Sequence, residues 1–362
     1  MSQEPPQGRV SIRDIAKHIG VSHATVSLAL RNHPRISEAL RIKIKETAEE
    51  MGYRPDPMLA ALAHYRRAKT DSPITSCLAW INAWPEPDKL RSYREFDAYW
   101  QGASTAAAKF GYRLEEFRMG RDMTPQRLHQ VLQARGIHGL LIPPQKPRPD
   151  WQDFPWQHYS VVRFGRSLSN PRSHLVTADQ VANTMLAFEK IRERGYRRVA
   201  FVTNESDALM RGHLFEAGYL AAQRFIPQED RLSVFVTDSP TQSSDVTARF
   251  KSWYDEQQPD AIFTDDMGCV DLIAKAGLKV PDDVALAVTS ILDAKCESGI
   301  NQQPEEIGRV GLLMLNSIIN DGARGIPKIF RQILVEGTWV DGPSLPDRSG
   351  KKAARKKAAK AG

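Results

Sequence analysis

The chain has 362 residues, enough for about two or three compact units, and carries a formal net charge of +7 with a pI near 9.2. Its cysteines, Cys77, Cys269 and Cys296, are too few and too widely spaced for a disulfide framework or a zinc site. The first residues lack the apolar core of a secretory signal, and no window approaches the roughly 20 apolar residues that span a bilayer. The chain therefore reads as soluble and cytoplasmic, with its cysteines as small buried side chains.

The charge is unevenly placed. Residues 1–69 carry 12 Lys/Arg against 7 Asp/Glu and residues 347–362 carry 7 against 1, which leaves 70–346 at −4. That asymmetry points to nucleic acid at the ends and different work in the centre. Residues 1–9 are polar and Pro-rich and read as disordered. Ser11 to Asp14 has the pattern of a capping box, followed by Ile12, Ile15, Ala16 and Ile19 on one helical face and Gly20 as a stop. Ser22 can cap a second helix to about Leu30, with Val26, Ala29 and Leu30 inward. Asn32-His33-Pro34 breaks the chain. Ser37 can cap a third helix with Leu40, Ile44, Ala48 and Met51 inward, closed by Gly52.

Two closely spaced helices, the second opening on residues that a core does not need, form the pattern of a helix-turn-helix. Ser22, Thr25 and Ser27 are short hydroxyl residues suited to phosphate oxygens, while His23, Ala24 and Leu28 fall where base edges are read. Arg31 and Arg35 follow as phosphate contacts, with a base contact as the alternative for Arg35. A capped surface helix of a small helical domain fits the same spacing.

From Ile74 onward, strand-like runs alternate with helical patterns: ITSCLAWINAW, a helix near 94–110, YRLEEF, a helix near 124–135, GLLIPP, SVVRFG, RRVAFVT, a helix near 211–224, SVFVTD, a helix near 244–257, DAIFTDD, a helix near 268–276 and VALAVTS. A helix over 304–321 and a single strand RQILVEGTWV follow. Such alternation predicts parallel sheets covered by helices, and its length predicts two lobes. The tail KKAARKKAAKAG is low-complexity and basic and cannot bury a core.

DIAKHIGVSHATVSLAL, RIS and MGYRPDPMLAAL, together spanning residues 10–63, closely resemble the amino terminus of the LacI/GalR family of bacterial transcription regulators. The resemblance implies a DNA-bound homodimer whose Ala-rich segment after Pro57 is a hinge helix, with Leu62 as the wedge that enters the minor groove; an ordinary packing leucine is the plainer role. YWQGASTAAAKFGYRL, HLVTADQ, RGYRRVAFVT, KVPDDVAL and GINQQPEEIGR resemble the family's sensor domain, which is similar to periplasmic sugar-binding proteins. The fold implied is multi-domain: an all-α helix-turn-helix domain (10–55), a hinge and linker (56–70), a two-lobed α/β effector and dimerisation domain (71–342) and a basic disordered tail (343–362). The lobes are expected at about 73–166 with 295–324, and at 167–290 with 325–342.

Small ligands in such folds sit at the carboxyl ends of strands, between the lobes. By that placement Asn82, Trp84, Arg211, Asp265, Asp266, Ser290 and Asp293 are the candidate effector contacts. Each has a plainer alternative: lobe packing for Trp84, a loop or helix cap for one of the two aspartates, and a surface ion pair for Arg211. The chain also departs from the sugar-responsive pattern, because Phe215 stands where many relatives have arginine and Ser290 where they have a carboxylate. A sugar-like effector is what the resemblance implies, and a non-sugar effector stays open. So does an architectural DNA protein acting through the basic tail. No Gly-rich phosphate loop, nucleophile elbow or metal-ligand spacing points to an enzyme, a cofactor or a metal.

Overall fold

The computed structural model describes residues 10–30, 36–53, 76–145, 151, 153–168, 170, 172–237 and 244–350. Arg31, Arg35, the hinge segment with Leu62, and the basic run 351–362 lie outside these.

The amino-terminal unit contains three helices. The capping box opens α1 (Ile12–Ile19): the Asp14 carboxylate accepts the Ser11 N–H at 2.8 Å, and Ser11 Oγ accepts the Asp14 N–H. Gly20 ends it in the left-handed region at φ 79°, where a β-carbon is strained. The chain then turns directly into α2 (His23–Leu30), and α3 (Glu38–Glu50) packs across both. Ile15, Ala16, Val26, Ala29, Ile44 and Ala48 form the buried centre, and the half-buried Leu40 and Met51 close over it. Each fully buried Ile or Val stabilises by about 1.5–3 kcal/mol, enough to hold a small unit together with its caps.

The remainder forms two six-stranded sheets. The first has the order β11-β5-β4-β3-β1-β2, from β1 (Ser76–Asn82), β2 (Tyr112–Arg118), β3 (Gly139–Ile142), β4 (Ser160–Phe164), β5 (His174–Ala178) and β11 (Gln332–Val335), with every pair parallel. The second has the order β12-β10-β9-β8-β6-β7, from β6 (Val199–Asn204), β7 (Phe235–Thr237), β8 (Ala261–Thr264), β9 (Ala285–Val288), β10 (Gly299–Asn301) and β12 (Thr338–Val340); here only β12 runs antiparallel. Uninterrupted burial along β3, β4, β5, β8 and β9 is what helices on both faces impose.

On the first sheet, helices Arg94–Lys109 and Pro304–Asn320 meet backbone to backbone. A β-carbon on Gly102 would stand 1.9 Å from Glu305 O, and one on Gly308 2.0 Å from Tyr99 O. Only glycine permits that approach, which locks the two helices into one body.

The lobes divide the chain differently from the expected boundaries. β5, expected in the carboxyl-terminal lobe, belongs to the first sheet, and β10, expected in the amino-terminal lobe, belongs to the second. RQILVEGTWV is two strands in different sheets, parted at Gly337, whose N–H donates to Asn183 Oδ1 at 2.7 Å. A side chain there would collide with Ile300 and Asn301, so the close crossing needs glycine. The chain thus passes between lobes after β5, after β10 and between β11 and β12. The expected tail also starts too early. Leu345 is buried in the second core, Ser344 Oγ accepts the Ser298 N–H, and the Tyr196 hydroxyl donates to Pro346 O.

Candidate functional site

Two surfaces carry chemistry. The first is the amino-terminal end of α2. Ser22 Oγ accepts the Thr25 N–H at 3.0 Å and shares a 2.8 Å hydrogen bond with the Thr25 hydroxyl, so Ser22 is first of all a helix cap. Ser22, His23 and Ala24 are exposed, and Thr25, Ser27 and Leu28 are half-buried. The opposite face of the helix is spent on Val26 and Ala29 in the core. The surface is therefore rigid, projecting and narrow enough to enter a groove.

The second is a cavity of about 200 Å³ between the carboxyl ends of the two sheets. The first lobe contributes Trp84 after β1, Gln145 after β3, Gly165 to Ser167 after β4, and Tyr93, Glu95, Phe96 and Tyr99 from the start of helix Arg94–Lys109. The second contributes Asp207 and Arg211 from helix Glu205–Arg211, Asp265 and Asp266 after β8, and Ser290 and Asp293 after β9. Trp84, Tyr93 and Phe96 form a ring cluster, with centroids 5.6–6.2 Å apart.

The lobes are tied together at this cavity. Asp293 of the second lobe accepts the backbone N–H groups of Arg94 and Glu95, at 2.8 and 3.0 Å, so it caps a first-lobe helix from across the cleft. The Arg94 guanidinium donates to Leu292 O at 2.9 Å, and the Ser290 hydroxyl donates to Glu95 Oε2 at 2.8 Å. Burial pushes the Glu95 carboxyl above the usual carboxylate range, against the Ser290 hydrogen bond and the charge of Arg211. Arg211 itself lies 3.0 Å from Asp265 and 3.7 Å from Asp207. Burial likewise pushes Asp265 and Asp266 up, and Arg211 partly offsets the rise at Asp265.

A family profile described as "Bacterial regulatory proteins, lacI family" matches residues 11–56, and one described as "Periplasmic binding protein-like domain" matches residues 188–344. Similar curated proteins include the HTH-type transcriptional regulator MalR of Streptococcus pneumoniae, 24% identical over 90% of this chain and 97% of that protein. The HTH-type transcriptional regulator GntR of Escherichia coli is 26% identical over 84% of this chain and 90% of its own length. Among solved structures, a transcriptional regulator CelR–cellobiose complex aligns with a TM-score of 0.53 and 19% identity, over 93% of this chain and 100% of that one.

The chain carries a lacI-family amino-terminal domain and a periplasmic-binding-protein-like domain.

The cavity gathers six of the seven residues that the sequence offered as effector contacts: Trp84, Arg211, Asp265, Asp266, Ser290 and Asp293. Asn82 is not among them. It is fully buried, donates to Pro87 O and Glu116 Oε1, and accepts the Trp84 N–H, so it braces the loop that carries Trp84. Trp84 lines the cavity and packs in the first-lobe core, while its indole N–H donates to Pro144 O. Asp266 is a loop cap: it accepts the Gly268 N–H and the Thr237 hydroxyl. Asp293 faces the cavity too, but its carboxylate is committed to a helix end. Sequence reasoning missed Glu95, Tyr93, Phe96, Arg166, Ser167 and Asp207. Arg166 and Ser167 follow β4 directly, so their place at a strand's carboxyl end was the available signal. Among the described residues no cluster of three metal-ligating side chains occurs, and no helix is long and apolar enough to cross a membrane.

Proposed function

We propose that the chain is a sequence-specific DNA-binding transcription regulator, a repressor of carbohydrate-related genes, whose operator affinity is set by a sugar-like molecule held between the lobes. The observation that carries the reading is the exposed, capped start of α2 on a complete three-helix unit, joined in one chain to a two-lobed cavity. The printed names of relatives and fold neighbours support it: MalR and GntR are transcriptional regulators, and the CelR structure is a cellobiose complex. The protein acts in the cytoplasm as a homodimer on a near-palindromic site, with His23, Ala24 and Leu28 toward base edges and Ser22, Thr25, Ser27, Arg31 and Arg35 toward phosphates. Leu62 wedges the minor groove at the centre. Binding and release, rather than turnover, is its chemistry.

Asp293, Ser290 and Glu95 supply the coupling. Ligand in the cavity changes how the second lobe grips the start of helix Arg94–Lys109. That helix moves as one body with Pro304–Asn320, and with them the first sheet, whose β1 follows the hinge segment. A coupling of about 1–3 kcal/mol corresponds to a roughly 5- to 150-fold change in operator affinity.

Selection of duplexes from a random pool by the full-length protein tests the reading. Enrichment of an inverted repeat, weakened by His23→Ala without loss of fold, is the expected result. Recovery of unrelated duplexes, or equal binding by His23→Ala, contradicts it.

A further inference from the structure

We propose that the ligand of this cavity carries an anionic group, a carboxylate or a phosphate, received by Arg166 and Ser167 of the first lobe. The inference rests on the reading of the cavity as the effector site and names the ligand's chemistry more closely.

The argument is an accounting of charge at the cavity wall. Each of its carboxylates already has a donor from the protein, although Asp265 Oδ1 is buried without a partner among the described residues and is free to accept a hydroxyl of the same ligand. Asp265 and Asp207 face Arg211, Asp266 accepts Gly268 N–H and the Thr237 hydroxyl, Asp293 accepts two helix N–H groups, and Glu95 accepts the Ser290 and Tyr99 hydroxyls. Arg166 stands apart. Its single hydrogen bond among the described residues goes to the neutral amide of Gln332, at 3.0 Å, and its Nε is buried without a partner. The charge of Asp179 reaches it, but that carboxylate caps helix Gln180–Glu193 by accepting the Ala182 N–H.

The ground behind Arg166 is positive too. The buried Arg163 guanidinium is held by the carbonyls of Gly165, Leu168 and Ser173, with no carboxylate, and staples the loop from which Arg166 projects. Burial, together with the charges of Arg166 and Arg172, lowers its pKa to about 10. Cations that crowd one another with no carboxylate paired directly to them are costly unless something completes the set. Next to Arg166, Ser167 Oγ accepts the Gln145 N–H at 2.9 Å and donates to no described residue, so its hydroxyl proton is available. Gly165, at φ 65°, makes the turn that places both residues on the cavity wall. A guanidinium and a hydroxyl side by side suit a carboxylate or phosphate oxygen pair. A neutral sugar leaves the cation uncompensated.

Calorimetric titration of the full-length protein tests this with matched sets of one aldose, its aldonic acid and its terminal phosphate, at constant ionic strength. The expected result is that the tightest ligand is an acid or a phosphate. The acid arm identifies a carboxylate, the phosphate arm a phosphate ester. Arg166→Gln weakens that ligand by about tenfold or more, and Ser167→Ala by a few-fold, with the neutral aldose unchanged. Arg166→Lys recovers the preference for the anion. The proposal is overturned if the neutral aldose binds as tightly as its anions, if Arg166→Gln and Ser167→Ala both leave anion affinity intact, or if no member of any set binds. Operator binding measured with the same sets separates the two readings. A neutral aldose that alters DNA affinity at concentrations as low as its anions require sinks the anion site and keeps the regulator. An anion that binds through Arg166 without altering DNA affinity does the reverse.

Discussion

At the scale of single residues, two glycines show how differently the same substitution acts. Gly20→Ala meets open space, so its cost is backbone strain alone, about 1–2 kcal/mol in the left-handed region. Gly102→Ala forces a β-carbon against Glu305 O and costs well beyond that. Thermal unfolding should show a modest loss confined to the amino-terminal unit for the first, and a large loss in the sensor domain for the second. Ser22→Ala removes a helix cap and should cost about 1 kcal/mol, weakening DNA binding together with local stability. Residue roles were only partly legible in the sequence. A position after a strand told where Asn82 and Asp293 would sit, but not that one would turn inward to brace a loop and the other reach across to a helix end. The end of SVVRFGRS marks Arg166 as a strand-end residue, but its significance lies in the lack of a paired carboxylate, which is a property of three dimensions.

At the scale of elements, the cleft closure hangs on the first turn of helix Arg94–Lys109. Asp293→Ala takes the acceptor from two N–H groups and should weaken the closed form by about 1 kcal/mol, seen as a larger radius of gyration in solution scattering. An unchanged radius and unchanged ligand affinity would argue against the latch. Closure should also depend on pH. Glu95 faces Tyr99 on its own helix and Ser290, Asp293 and Arg211 from the second lobe. Its carboxyl is raised when buried and regains an ordinary value once the cleft opens to water, so the closed form holds the proton more tightly. Closed-state stability from this group is fully present below the ordinary carboxylate pKa and is lost as pH rises through the raised one, by at most about 1.4 kcal/mol per pH unit. Scattering across that range should show opening as pH rises, and Glu95→Gln should remove the Glu95 share of the trend. Most elements were legible, because continuous apolar runs and capped helical stripes report burial directly: the helix at Ser244–Gln257 falls where expected, as does the capping box. What the sequence hid was partnership. RQILVEGTWV reads as one strand, since nothing local says that Gly337 is squeezed between Ile300 and Asn301 and sends its two halves to different sheets. HLVTA stands out as part of a motif but carries no local sign of its place as β5, and the three-residue β10 is too short to carry a period.

At the scale of the whole molecule, the family fold places a reader of DNA on a two-lobed sensor, and the latch gives the sensor something to change. The first lobe holds its two helices as one body, so under the proposed coupling a rotation set by the cavity carries β1 with it. Leu62→Ala should therefore reduce operator binding much more than binding to unrelated duplex, since a wedge acts only where the site bends; equal losses would deny it that role. The most direct measurement is the dissociation constant for the selected operator, with and without saturating cavity ligand, in the wild type and in Asp293→Ala. The account predicts a ligand-dependent change of at least about fivefold that shrinks in the variant while its intrinsic DNA affinity survives. An operator affinity indifferent to a ligand that demonstrably fills the cavity would contradict it.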